Sequence, residues 1–191
     1  MMLTEAVVLS VLIGYILKGS INNFKNADIS YIELAIGSFI LEDIVVILIR
    51  RNVFFSSPAI FILHAIVYML LFIFVYFNRK CTGVLIMGAG FFMNAAAIFA
   101  NGGLMPVSKI SAFKANLGYM VDNISSYGLY KLIDKNTLLY PLCDIIPRPY
   151  PRPFVISIGD IVISIGMFLF VIKLMGCRSI LKNKGKSIEH N

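Results

Sequence analysis

Apolar residues come in five long runs along the chain, at Leu3–Leu17, Ile29–Ile49, Ala59–Phe77, Cys81–Ala100 and Phe154–Met175. A helix that crosses a bilayer needs about 20 mostly apolar residues, with a range of about 17–25. The pattern therefore predicts five spanning helices. The first run is short and needs flanking residues or a tilt. The second carries Glu33, Glu42 and Asp43. A central Asp opposes insertion by about 2.5–3.5 kcal/mol, and each Leu, Ile, Phe or Val offsets about 0.3–0.6 kcal/mol. The thirteen such residues of that run roughly balance its acids, so it inserts better within a bundle than alone. The predicted architecture is all-α: a polytopic membrane helix bundle forming a single domain over residues 1–191. A long extramembrane loop fills 101–153 and a basic tail follows at 176–191.

The loop has a pattern of its own. Ser108 can cap a helix through KISAFKANLGYM, in which Ile110, Phe113, Leu117 and Met120 recur at helical spacing. That spacing predicts an amphipathic helix lying on the membrane surface. A second short helix is predicted near Tyr127–Ile133. Prolines at 147, 149, 151 and 153 each push the preceding residue into extended geometry. They predict a stiff rod of roughly 20 Å, at about 3.1 Å per residue, that joins neither helix nor sheet.

Composition agrees with a membrane chain. Of 191 residues, 59% are hydrophobic and only 14% are charged, with mean hydropathy +0.85. Soluble domains carry about 25% charged residues. The formal charge of +7 sits in short loops and suits anionic headgroups. No basic stripe interleaved with aromatics points to nucleic acid. Lys18, Lys25, Arg79, Lys80, Lys173, Arg178, Lys182, Lys184 and Lys186 fall on one side of a five-span arrangement. Among short segments, only Arg50 and Arg51 fall on the other. The positive-inside rule then gives an outer N-terminus and a cytoplasmic C-terminus in the cell membrane. The first run lacks a basic leader and a small-x-small cleavage site, and reads as a retained helix. Cys81, Cys143 and Cys177 are scattered, without metal-ligand or redox spacing.

The polar residues inside the runs fall at one level. Glu42 and Asp43 lie six or seven residues from the loop-side end of the second run. His64 lies five residues inside the third, and Asn94 and Asp160 six inside the fourth and fifth. Glu5 sits near the same face. At 1.5 Å per residue, these groups share a depth of roughly 8–10 Å. A carboxylate in hydrocarbon is unfavourable unless it meets water, a counter-group or a donor, so the coincidence predicts a shared polar cavity. His64 can pair with Asp160 or Glu42, Asn94 can donate to either, and Tyr68 lies one turn from His64. Glu42 and Asp43 point about 100° apart, so at most one faces the cavity squarely. The other can reach Arg50 or Arg51.

Directly after the fourth run stands NGGLMPV, Asn101 to Val107. Gly102 and Gly103 permit positive φ and close backbone approach, and Pro106 ends helical continuation. The turn is at least a helix C-cap. It can also fold back as a lid whose free N–H groups line the polar level.

NGGLMPV at 101–107, with DIIP at 144–147 leading to SIGD at 157–160, resembles an uncharacterised family of small bacterial membrane proteins. That family is catalogued as a domain of unknown function and marked by an NGG-x-MPV turn and a DI-x-P…SIGD stretch. The resemblance covers essentially the whole chain. It implies a bacterial membrane bundle and singles out Asn101, Gly102, Gly103, Met105, Pro106, Asp144, Pro147, Ser157, Gly159 and Asp160. It implies no activity. Ser157 and Gly159 allow close backbone packing, and the expected partner is the NGG turn, set against the start of the last helix near Asp160.

Three functions fit. The first is a protein that binds or passes a proton, ion or small polar solute. Its candidate residues are Asp160, Glu42, Asp43, His64, Asn94, Asn101, Gly102, Gly103 and Ser157. Without an inverted repeat, a transport pathway would require a homo-oligomer. The second is a structural or accessory membrane protein whose polar layer locks helix packing. The third is a membrane enzyme, which is the least supported: one intramembrane His, no HExxH and no GxSxG give no catalytic set, metal or cofactor.

Overall fold

The computed structural model describes residues 2–51, 53, 55–122, 124 and 128–177. The basic tail from Arg178 onward, and Tyr127 of the expected short loop helix, lie outside these residues.

All five apolar runs fold as helices. They are α1 (Met2–Ile16), α2 (Ile32–Arg50), α3 (Ser57–Phe77), α4 (Val84–Ala100) and α7 (Ile158–Leu174). Among the described residues, α3 is the one helix long and apolar enough to cross a membrane by length and composition, while α1 and α4 are apolar but shorter. The chain is mostly helical, but not purely so. Among the described residues, two short α-helices, α5 (Lys109–Lys114) and α6 (Gly118–Val121), a 3-10 turn at Tyr140–Leu142 and four three-residue strands lie between α4 and α7.

The helices pack as a row in the order α1, α7, α4, α3, α2. Its centre is the α4–α7 contact, built on glycines at sevenfold spacing. Gly83 and Gly90 of α4 and its cap meet Gly166 and Gly159 of α7 in antiparallel register. A Cβ on Gly166 would lie 2.6 Å from the Met87 nitrogen and 2.7 Å from the Gly83 carbonyl oxygen. One on Gly90 would lie 2.6 Å from the Gly159 oxygen. These are backbone atoms, so nothing can swing aside, and small residues are what let two helices approach this closely. Gly14 on α1 makes a similar seat for Met175, and Asn23 donates to the Met175 carbonyl at 2.7 Å.

Two asparagines tie elements together by copying a backbone pair. Asn78, after α3, donates to Ser30 O at 2.7 Å and accepts from Ser30 N at 3.0 Å, which fixes the entry to α2. Asn101, after α4, donates to Leu138 O at 2.9 Å and accepts from Leu138 N at 3.0 Å. That second clip fastens the 101–157 segment to the bundle.

The segment departs from its expected structure in three places. The single amphipathic helix is two short ones. Ser108 does cap α5, accepting from Ser111 N, but Asn116 adopts φ +61 and breaks the run. Ala112, Ala115, Leu117 and Val121 form a small core, while Ile110 and Phe113 face outward. Tyr130–Leu132, expected in a helix, is strand β2, parallel to β1 (Met105–Val107). Pairing to β1 overrides the local preference, with Met105 N donating to Leu129 O and Ile133 N to Val107 O. The expected proline rod does join a sheet. Ile146–Arg148 (β3) pairs antiparallel with Phe154–Ile156 (β4). A two-stranded ribbon is all edge, and an edge position needs no N–H from Pro147. As a consequence α7 starts at Ile158 rather than near Phe154.

The glycines give opposed expectations. Gly166→Ala should destabilise the protein by about 1–3 kcal/mol through overpacking. Gly37→Ala, where an added Cβ meets nothing within 4 Å in mid-α2, should stabilise it by about 0.5–1 kcal/mol. Thermal melts of the two purified variants in the same detergent check both signs.

Candidate functional site

A partly open cavity of about 1000 Å³ lies where the loop segment covers the helix row. Glu42 and Asp43 of α2, His64 and Tyr68 of α3, Asn94 of α4 and Asp160 of α7 all line it. Tyr130 and Asp144 reach it from the loop segment. Phe39, Phe91 and Phe154 belong to its largely aliphatic apolar wall. No Lys or Arg is among its described lining residues.

Each of these groups is held differently. Asp160 belongs to the start of α7. Ser157 caps the helix, its hydroxyl accepting from Asp160 N, and Asp160 Oδ2 accepts from Ser157 N at 3.0 Å, a complete capping box. Asp160 Oδ1 accepts from Asn94 Nδ2 at 2.9 Å. Ser157 Oγ in turn donates to Asn94 Oδ1 at 2.8 Å. Asn94 also fits the space above Gly159, where a Cβ would lie 1.9 Å from its Oδ1. This closed network locks α7 onto α4 and engages both carboxylate oxygens. The S-x-x-D spacing at 157–160 is its sequence signal.

His64 does not pair with an acid. Its Nδ1 lies 2.8 Å from the Gly103 carbonyl. A carbonyl only accepts, so Nδ1 carries the proton. The NGG turn therefore packs on the start of α3, not on the start of α7 as its small residues suggested. Gly103, at φ +87, sits against Phe61, whose Cα would be 2.9 Å from an added Cβ. Gly102 has φ +78 and open space around it. Asn101, Gly102, Gly103 and Ser157 thus shape the cavity's frame without lining it.

Three acids are uncommitted. Glu42 is half-buried and Asp43 sits exposed at the edge. Neither carboxylate has a hydrogen bond or ion pair among the described residues. Asp144 is the residue that helix-based reasoning could not place, because its position depends on the loop. Its backbone is fixed on both sides, Asp144 N to Pro106 O at 2.9 Å and Ser108 N to Asp144 O at 2.8 Å. Its side chain is 6% exposed, lines the cavity and leaves Oδ1 without a partner. Burial, reinforced by the Asp160 carboxylate, pushes the Asp144 carboxyl well above the usual range. Glu5 takes no part in the cavity. It pairs with Arg148 of β3 and joins α1 to the loop segment.

The described residues contain no group of three or more His, Cys, Asp or Glu side chains able to hold a metal ion. The arrangement is a roomy acidic chamber with apolar walls.

A family model described as "Family of unknown function (DUF5317)" matches residues 26–172. An "Uncharacterized protein" of Thermotoga maritima is 35% identical over 107 residues, which is 55% of this chain and 60% of that protein. The chain thus spans less than two thirds of that relative's length. No solved structure matches the chain. On the extent of the family match, the chain belongs to DUF5317.

Proposed function

For this DUF5317 member, we propose a multi-pass membrane protein whose acidic cavity binds a positively charged solute. The observation that carries the binding reading is the set of carboxylates on Glu42, Asp43 and Asp144, which have no ion pair among the described residues, in a chamber with no Lys or Arg among its described lining residues. When these acids ionise, no described lining residue supplies a counter-charge, and a bound cation would.

The membrane reading rests on inside-out helices. On α2, Ile36, Ile40, Ile44 and Ile47 are exposed at helical spacing, while Phe39, Glu42, Val46 and Ile49 line the cavity. A helix of a soluble protein turns its apolar stripe inward and its charges outward. Ionisable groups inside a membrane protein instead face the interior or a water-filled cavity. Val8 and Leu12 on α1, Ile62 and Met69 on α3 and Phe92 on α4 continue the exposed apolar belt. Ile110, Phe113 and Tyr119 extend it under the loop segment, where they would rest on lipid. The helices of 15 to 21 residues would then be the five spans.

Asp160 is a framing residue in this reading, because its oxygens are occupied by Ser157 and Asn94. The burden of binding falls on Asp144 and Glu42. Entry of a cation beside Asp144 would release the proton that burial makes the carboxyl retain, so uptake would be exchange of one positive charge for another.

Single cysteines at Lys80 and Tyr150, in a background without Cys81, Cys143 and Cys177, should react with an impermeant maleimide from opposite faces of the membrane. Labelling of both from the same face would overturn the five-span arrangement. Asp144→Asn should raise the melting temperature of the ligand-free protein. The folded Asp144 binds its proton more tightly than the unfolded one, whose pKa is about 3.9. Its contribution to stability is full below that value and is lost as pH rises from there through the folded value. The gain from Asp144→Asn should therefore grow as pH is raised above about 4. Asp160→Asn should act oppositely and lower stability by about 1–2 kcal/mol, because an amide keeps only one of the two acceptors used by Ser157 N and Asn94 Nδ2 and loses the charge at a helix N-terminus.

A further inference from the structure

The cavity is far larger than a bare cation needs. Its volume of about 1000 Å³ compares with about 30 Å³ for one water in the liquid. An inorganic ion would also want several oxygens or nitrogens converging on a point, and the described residues contain no group of three or more His, Cys, Asp or Glu side chains able to hold one. The chamber instead has the make-up of an organic-ligand site, mostly apolar wall with a few placed polar groups. Its polar groups gather on one side of the chemistry, since every described ionisable lining residue is an acid, an imidazole or a phenol. Asp144 Oδ1 is a buried acceptor awaiting a donor. An ammonium offers three N–H donors and a charge. Phe39, Phe91 and Phe154 line the cavity and can meet a hydrocarbon body, although the Arg148 guanidinium already lies 5.3 Å from the centre of the Phe154 ring.

We propose that the cavity takes a protonated primary amine carried on an apolar body, the ammonium set against Asp144 and Glu42 and the hydrocarbon against the Phe39, Phe91 and Phe154 wall. The inference rests on the cation-binding reading above and narrows it to a chemical class. Asp144 makes the direct hydrogen bond, and Glu42 adds charge from α2. Selection against neutral analogues follows from the charge, since an alcohol can donate to the unpaired acceptor but brings no counter-charge to the acids.

The full-length protein, purified in lipid nanodiscs, is titrated with 4-phenylbutylamine, with 4-phenylbutanol as the neutral isostere, and with potassium and magnesium chloride. Melting temperature and calorimetric affinity are read. The amine should raise the melting temperature saturably, and the alcohol and the salts should not. Asp144→Asn and Glu42→Gln should each weaken amine binding, the first roughly ten- to a hundredfold, as for loss of a hydrogen bond to a charged group. The melts of the two variants show whether each is folded, and either one alone suffices for the comparison. Equal effects of amine and alcohol would mean apolar partitioning and overturn the proposal. Undiminished amine affinity in both folded variants would overturn it as well. A response to the inorganic salts alone would overturn the amine assignment and leave the cation-binding reading standing. No response to any cation would remove both.

Discussion

The structure depends on how closely α4 and α7 approach. Gly83 with Gly166, and Gly90 with Gly159, bring backbone against backbone where a single methyl group would clash. That approach places Asn94 over Gly159, within reach of both Ser157 and Asp160. It thereby decides that Asp160 spends its oxygens on the helix start. The cavity lies beside this contact, lined by residues of α2, α3, α4 and α7 and by the loop segment that partly covers them.

Closure of that space uses backbone groups more than side-chain packing. Asn101 grips residue 138 through its N–H and C=O, His64 takes the Gly103 carbonyl, and Asp144 is strung between Pro106 and Ser108. Buried main-chain groups need partners wherever regular structure is interrupted. In this segment the partners double as positioning devices. Asp144 arrives in the cavity because its main chain extends a small sheet whose other members are β1 and β2.

Much of this was legible in the residues, for identifiable reasons. The five helices announce themselves because long apolar runs have few other ways to satisfy their backbone. The common level of Glu42, His64, Asn94 and Asp160 was legible because depth along a helix follows from residue count, and these residues do line one cavity. Their partners were not. His64 was open to Glu42 or Asp160 on depth alone, and only the fold of the NGG turn decides for Gly103. A helix beginning at Phe154 puts Asp160 among the candidate binding groups, six residues inside the span. Pairing of β4 with β3 moves the start to Ile158 and turns the acid into half of a capping box. The strands at 130–132 and 146–148 are three residues each. Segments that short take their conformation from whatever lies alongside, here β1 and β4.

The two asparagine clips have a consequence for how such a protein can drift. Asn78 and Asn101 each recognise a peptide unit, the N–H and C=O of residues 30 and 138, and are indifferent to the side chains there. Ser30 and Leu138 are therefore replaceable by anything but proline, whereas the amides gripping them are not. A chain tethered in this manner can rewrite its outer covering, and with it the lining of the chamber, while the anchorage of that covering stays the same.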